Sequence, residues 1–89
     1  FELQFTNLID RLRASTQPVR IVCTTSVWPR PNTDAVIRKV AAAKGCVLVD
    51  LSSLVGQGQY FASQYANPGV AAHPNDAGMQ RIADLIWAS

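Results

Sequence analysis

Residues 19–25 read Val-Arg-Ile-Val-Cys-Thr-Thr, and residues 46–51 read Cys-Val-Leu-Val-Asp-Leu. The first run is rich in β-branched residues, which is typical of strands. The second is almost continuously apolar, as expected for a parallel strand that is covered on both faces. Between them, residues 33–44 repeat apolar positions at helical spacing. A strand, a helix and a second strand in this order predict an α/β fold with a parallel sheet and a right-handed crossover.

Two further predicted features concern the first and second helices. The first helix is predicted over residues 1–15, where apolar residues recur on one face, and it ends at residues 16–18. Because no capping residue precedes this face, we expect the chain to be one piece of a larger molecule. The second helix is predicted to be capped by Asn32 or Thr33 and to end at Gly45.

The carboxyl-terminal part is predicted to be a long loop followed by a helix. The loop covers residues 52–72, with a short helical turn around residues 60–65. The last helix covers residues 76–88 and is expected to bury one apolar face. That face consists of Met79, Ile82, Ala83 and Ile86. Because two buried strands leave open sheet edges, we expect another segment to pair with residues 19–25.

The composition indicates one small globular domain and argues against several classes of function. Hydrophobic residues make up 48% and charged residues 16% of the chain, which excludes disorder. The net charge of +2 comes from dispersed Lys and Arg, so no nucleic-acid partner is predicted. No apolar run approaches the roughly 20 residues of a membrane span. Two buried thiols at Cys23 and Cys46 are favoured over a disulfide, and neither a metal site nor a cofactor is predicted.

Residues 69–79 read Gly-Val-Ala-Ala-His-Pro-Asn-Asp-Ala-Gly-Met and contain the only histidine, His73. Pro74 suits the first helical position, because its fixed φ is helical and it has no N–H to leave unpaired. Asn75 and Asp76 bring acceptors and negative charge to the same helix end. An anchored helix start would fix the loop that holds His73. A histidine held in this way can act as a general base near neutral pH.

The same stretch resembles the last sequence block of the SGNH, or GDSL, hydrolases, which are serine esterases and lipases with a flavodoxin-like sheet. That block usually reads Asp-x-x-His-Pro-Asn; residues 73–78 match its second half, while Val70 stands where the acid is usual. Residues 26–29, Ser-Val-Trp-Pro, and residues 49–52, Val-Asp-Leu-Ser, are similar to a subset of the family. The resemblance implies that residues 1–89 are the carboxyl-side part of one flavodoxin-like α/β/α sandwich, with two strands and three helices present.

The resemblance also implies carboxylic-ester hydrolysis, with His73 as the general base that takes the proton of a serine. The family's serine lies in a Gly-Asp-Ser block, which this chain lacks. The implied substrate is an acyl or carbohydrate ester, and the implied partner is the amino-terminal half of the same domain or a second copy. The sequence itself gives no cellular location; the resemblance is compatible with a secreted or periplasmic one. The alternative is a non-catalytic α/β piece that binds a partner through its sheet edge.

Since Val70 replaces the usual acid, we expect a main-chain oxygen of residues 67–72, or water, to orient His73. Asp76 is the second candidate for this role, although helix capping is the favoured interpretation of that residue.

Two residues are predicted to bind substrate next to His73. Ligands bind beyond the carboxyl ends of strands in open parallel sheets, which places Ser26 and Trp28 on the same rim as the histidine. Trp28 either lines the pocket or clamps the proline-rich loop, and the two interpretations carry equal weight. None of Ser26, Ser52 and Ser53 stands in a nucleophile turn. Asp50, at a strand end, is expected to form a turn and not to act in catalysis.

Overall fold

A computed structural model describes residues 1–15 and 19–89 of the chain. Within these residues the chain forms four α-helices and two strands. Their bounds are Glu2–Arg13 (α1), Val22–Thr24 (β1), Pro31–Lys44 (α2), Val47–Val49 (β2), Pro68–Ala71 (α3) and Asp76–Trp87 (α4). Two 3₁₀ turns, Ser52–Leu54 and Gly58–Tyr60, lie between β2 and α3. The helix end predicted at residues 16–18 lies outside the described residues.

The strands pair in parallel, as the order of elements predicts. Val22 lies opposite Val47, and Thr24 lies opposite Val49. Each strand is three residues long, shorter than the apolar run that contains it. The helix α2 connects β1 to β2, so the predicted α/β class with parallel strands is confirmed. The structure has four helices where three are predicted, because a short helix, α3, forms in the long loop.

The outer edge of β1 has no strand beside it in the described part of the chain. The carbonyl of Ile21 accepts from the Val47 N–H, and the Thr25 N–H donates to the Val49 carbonyl, at 2.9 and 3.1 Å. Along a strand, successive residues direct their backbone groups to opposite sides. The backbone groups of residues 22 and 24 therefore face the open edge, where a further strand can add.

The hydrophobic core lies on one face of this sheet, beneath α1 and α2. Its buried members are Ile9, Cys23, Val40 and Ala41. Partly buried hydrophobic residues surround them: Phe5, Ile21, Val36, Ile37, Cys46 and Leu48. Both cysteines are free thiols, as predicted. Burial, and then the nearby Cys46 thiol, raises the pKa of Cys23, which keeps it a neutral, small hydrophobic residue.

The start of α2 differs from the sequence prediction, whereas its end agrees with it. Arg30 precedes the helix without a side-chain capping bond, and Pro31 is the first helical residue. Asn32 and Thr33 lie inside the first turn, so the prediction that one of them caps the helix is wrong. Proline takes this position well because the first turn leaves N–H groups unpaired. Gly45 ends the helix with φ +67°, a conformation that favours glycine.

The long loop is organised at other residues than predicted. The predicted helical turn around residues 60–65 is present only in pieces: the 3₁₀ turn Gly58–Tyr60 ends where the predicted turn begins, and the Tyr65 N–H donates to the Ala62 carbonyl at 3.2 Å. The Asn67 side chain caps α3 by accepting from the N–H groups of Gly69 and Val70, at 2.8 and 3.3 Å. The pair Asn67-Pro68 therefore starts a helix by combining a capping acceptor with a proline at the first position.

The start of α4 confirms one prediction and corrects two. The Asn75 Oδ1 caps the helix by accepting from the Gly78 N–H at 2.8 Å, as the sequence predicts. Pro74 lies before the helix and forms an antiparallel bridge with Phe61, so its predicted first helical position is wrong. Asp76 is the first helical residue and not the cap; it places negative charge at the positive end of the helix dipole.

The apolar face of α4 is not buried, in contrast to the prediction. Met79 is 57% exposed and Ile86 39% exposed, and Ile82 is only half-buried. Helical periodicity identifies an apolar stripe but not the surface that covers it, and no described element covers this one. On α1, Leu3 and Leu8 are similarly exposed. The radius of gyration is 14.9 Å, against about 12 Å for a compact chain of this length, so the fold leaves extensive apolar surface open.

The contact between α4 and the preceding loop gives the first testable prediction. A Cβ on Gly78 would lie 2.0 Å from the Tyr60 carbonyl oxygen, which is backbone and cannot turn away. We expect Gly78→Ala to lower the free energy of unfolding by about 2 kcal/mol, because overpacking costs roughly 1–3 kcal/mol and helix propensity returns at most about 1. Urea unfolding followed by circular dichroism measures this change.

Gly58→Ala is the matched control, because a Cβ there would meet no atom within 4 Å. We expect that variant to unfold within about 0.5 kcal/mol of the parent chain. Equal stability of the two variants would contradict the close packing of α4 on the loop.

Candidate active site

The loop that follows β1 is held by a buried carboxylate. Asp34, in the first turn of α2, is only 8% exposed, and its Oδ1 accepts from the Ser26 N–H at 2.9 Å. The Ser26 Oγ in turn accepts from the Trp28 N–H at 3.0 Å. Asp34 is not among the residues that the sequence patterns singled out; the available signal was an acidic residue in the first turn of a helix, where unpaired N–H groups cluster. The result is a fixed loop that presents the Trp28 side chain.

Trp28 reaches across to the loop that carries His73. Its indole Nε1–H donates to the Ala72 carbonyl at 2.8 Å. Its ring meets the His73 imidazole edge to face, with 6.0 Å between ring centroids and 89° between planes. The clamp interpretation is thereby supported, although Trp28 clamps its own loop to the histidine loop. Such aromatic contacts contribute roughly 0.5–1.5 kcal/mol beyond the area they bury.

A main-chain oxygen orients His73, as the substitution at Val70 led us to expect. The ring Nδ1 lies 2.5 Å from the Gly69 carbonyl oxygen. Because a carbonyl can only accept, Nδ1 carries the hydrogen, and the basic nitrogen of the neutral ring is Nε2. The backbone is fixed as well, since the His73 N–H donates to the Val70 carbonyl at 3.1 Å and its carbonyl accepts from Ala62 at 2.9 Å. The exposed ring therefore offers Nε2 in a defined place.

Asn75 joins the histidine loop to the preceding turn through both ends of its side-chain amide. Its Nδ2 donates to the carbonyls of Gln59 and Phe61, each at 2.9 Å. Its Oδ1 caps α4 through Gly78, and its own N–H donates to the Tyr60 carbonyl at 2.9 Å. Every amide hydrogen of this side chain is thus used. His73, two residues earlier, has little freedom to shift relative to residues 58–62.

Asp50 belongs to a separate network that ties together the carboxyl ends of the strands. Its carboxylate accepts from Arg38 at 2.9 Å, and from the Ser52 N–H at 2.8 Å and hydroxyl at 2.5 Å. The Arg38 guanidinium, followed by the Ser52 donors, holds the pKa of Asp50 well below its usual range. Thr25, buried beside it, accepts from the Leu51 N–H at 2.7 Å. The predicted turn role of Asp50 is confirmed, and its hydrogen bonds connect it to Arg38 and Ser52 and not to His73.

The predicted serine residues are occupied within their own loops. The Ser26 hydroxyl accepts from Trp28, and the Ser52 hydroxyl donates to Asp50. Neither hydroxyl is hydrogen-bonded to His73. In the structure, Ser26 therefore supports Trp28. A role of Ser26 in substrate binding stays a prediction.

Two cavities meet at Trp28, Pro29 and Val55, which line both of them. The larger, of about 520 Å³, also contains the charged residues Arg30, Asp34 and Arg38. The smaller, of about 260 Å³, is apolar and extends to Ala71 and Ala72, next to His73. Trp28 thus separates a charged cavity from an apolar cleft, with the imidazole beside it.

No protein-family model, curated protein or solved structure matches this chain. The described residues hold no group of three or more His, Cys, Asp or Glu placed to bind a metal ion. Among the same residues, no helix is long and apolar enough to cross a bilayer. The class of protein that the geometry defines is an α/β chain with an oriented, exposed histidine next to Trp28, a residue that lines two cavities.

The link between Trp28 and the histidine loop gives the second prediction. We expect Trp28→Phe to lower the free energy of unfolding by about 0.5–1.5 kcal/mol, because phenylalanine keeps an aromatic ring but loses the hydrogen bond to Ala72. Trp87→Phe is the matched control, since Trp87 is 93% exposed, and it should change stability by less than about 0.5 kcal/mol. Urea titration of both variants measures the difference; equal effects would contradict a clamp at Trp28.

Proposed function

We propose that this chain supplies the general-base histidine of a serine ester hydrolase of the SGNH type. The observation that supports it best is the hydrogen bond from His73 Nδ1 to the Gly69 carbonyl, which leaves Nε2 as the exposed basic nitrogen. A serine nucleophile needs such a base, and the base needs an orienting group. The Gly69 carbonyl fills the orienting role that the family usually assigns to an acid.

In the proposed reaction, His73 Nε2 takes the proton of the serine as its oxygen attacks the ester carbonyl. The positive ring that results keeps its Nδ1–H directed at the Gly69 carbonyl, whose partial negative charge stabilises it. Nε2 then returns the proton to the leaving alcohol, and a second cycle with water releases the acid. We assign the serine and the oxyanion donors to polypeptide outside these residues, because Ser26 and Ser52 are engaged in their own loops.

The same proposal includes a partner that covers the open edge of β1. The groove beside this edge is apolar and is lined by residues of α1 and β1, among them Phe5, Leu8, Leu12 and Val22. An apolar strand with an open edge invites pairing, and the resemblance supplies the occupant: the amino-terminal half of the same domain, or a second copy of the chain.

A second function, partner binding without catalysis, rests on the same open edge and on the exposed apolar residues of α4. It differs from the first in a measurable way. Under partner binding alone, the hydrogen bond of His73 serves only to shape the loop, and removal of the imidazole leaves every activity of the assembled protein unchanged.

The third prediction tests the role of His73 in the complete protein, which under this proposal contains both this chain and the part that carries the serine. We expect His73→Ala to lower kcat/KM for a p-nitrophenyl acyl ester by ~10²–10⁴-fold, the usual loss for a general base. Because the side chain is exposed, circular dichroism should show an unchanged fold. Added imidazole should restore part of the rate to His73→Ala, since a free base can enter the space that the side chain leaves.

Near-parental kcat/KM in a folded His73→Ala variant would refute the proposal. The 89-residue chain by itself serves as the control and should show no turnover. Turnover that disappears in Ser26→Ala or Ser52→Ala would show that the nucleophile lies within the chain, contrary to the proposal.

A further inference from the structure

We infer that the acyl chain of the ester is a short aliphatic group that lies in the apolar cleft beside His73, an inference that rests on the proposed ester hydrolysis. Val27, Trp28, Val55, Phe61 and Ala71 contribute apolar side chains to this cleft. No charged residue of the described chain lines it. Burial of aliphatic surface is therefore the main source of affinity that this surface offers.

The position of the cleft relative to His73 carries the inference. Ala72, the residue before the histidine, lines one end of the cleft. The Trp28 side chain lines it as well and meets the imidazole in an edge-to-face arrangement, at a centroid distance of 6.0 Å. A chain that fills the cleft therefore ends beside the imidazole, where the proposed reaction requires the ester carbonyl.

The size of the cleft limits what it holds. Its volume is about 260 Å³, below the roughly 300–1,000 Å³ of sites for drug-sized ligands. A short aliphatic chain fits this volume, whereas a sugar ring would bring hydroxyl groups against side chains that offer no hydrogen bonds. Burying such unpaired hydroxyls is unfavourable.

The cavity on the other side of Trp28 has the opposite character. It is twice as large, at about 520 Å³, and contains Arg30, Asp34 and Arg38. Polar groups find partners there and not in the cleft. The two cavities therefore suit different halves of an ester. The aliphatic acyl chain belongs in the apolar cleft, and a polar alcohol part suits the larger, charged cavity.

Binding of non-hydrolysable acyl compounds to the 89-residue chain tests this inference without requiring catalysis. The probes are N-methylacetamide, N-methylbutanamide and N-methylhexanamide, which keep the acyl group and replace the ester by an amide. Titration is followed by the indole N–H signals of Trp28 and Trp87 in nitrogen-15 NMR spectra, assigned with Trp87→Phe. We expect the Trp28 signal to shift, the Trp87 signal to stay, and affinity to rise about fourfold for each added methylene until the cleft is full.

Val27→Thr is the test variant, because threonine has the shape of valine but places a hydroxyl in the cleft. It should weaken N-methylhexanamide binding several-fold. Val19→Thr, the same change at an exposed residue that does not line the cleft, should leave binding unchanged. Affinity that does not depend on chain length, equal shifts of both indoles, or equal effects of the two variants would overturn the inference. None of these results bears on the role of His73, which the His73→Ala variant tests separately.

Discussion

The side-chain amide of Asn75 is the interaction on which the rest of the site depends. It donates to the carbonyls of Gln59 and Phe61 and accepts from the Gly78 N–H, so one residue closes the preceding turn and starts α4. This arrangement brings the helix so close to the turn that only glycine fits at position 78. Because His73 lies two residues before Asn75, the hydrogen bonds of Asn75 also fix the position of the histidine backbone.

Two further contacts convert a fixed backbone into an oriented imidazole. The Gly69 carbonyl selects the ring nitrogen that carries the hydrogen, and the Trp28 indole holds the adjacent Ala72 carbonyl and packs against the ring. Trp28 is itself held through Ser26 by the buried carboxylate of Asp34. The first turn of α2 and the start of α4 thus act on the same side chain from two directions, although they are distant in sequence.

Local sequence signals predicted the parts of this structure that local interactions determine. The alternation of strand and helix predicted the parallel pair β1–β2. The side-chain acceptor of Asn75 predicted a cap for α4, and the absence of an acid at Val70 predicted that a carbonyl orients His73. The predictions were wrong where the structure depends on contacts between residues distant in sequence, or on whether another element covers a helix face. Pro74 pairs with Phe61 instead of starting the helix, and the stripe of Met79 and its neighbours stays exposed, since periodicity does not specify what covers a helix.

The tautomer of the neutral His73 ring shows whether the Gly69 carbonyl leaves Nε2 as the base. Two-bond nitrogen-15 correlation NMR of the chain, recorded on the neutral ring of its only histidine, distinguishes the two nitrogens. We expect a protonated Nδ1 and an unprotonated Nε2, because a carbonyl accepts only from N–H. A ring with its hydrogen on Nε2, or one that exchanges freely between the two forms, would contradict this expectation.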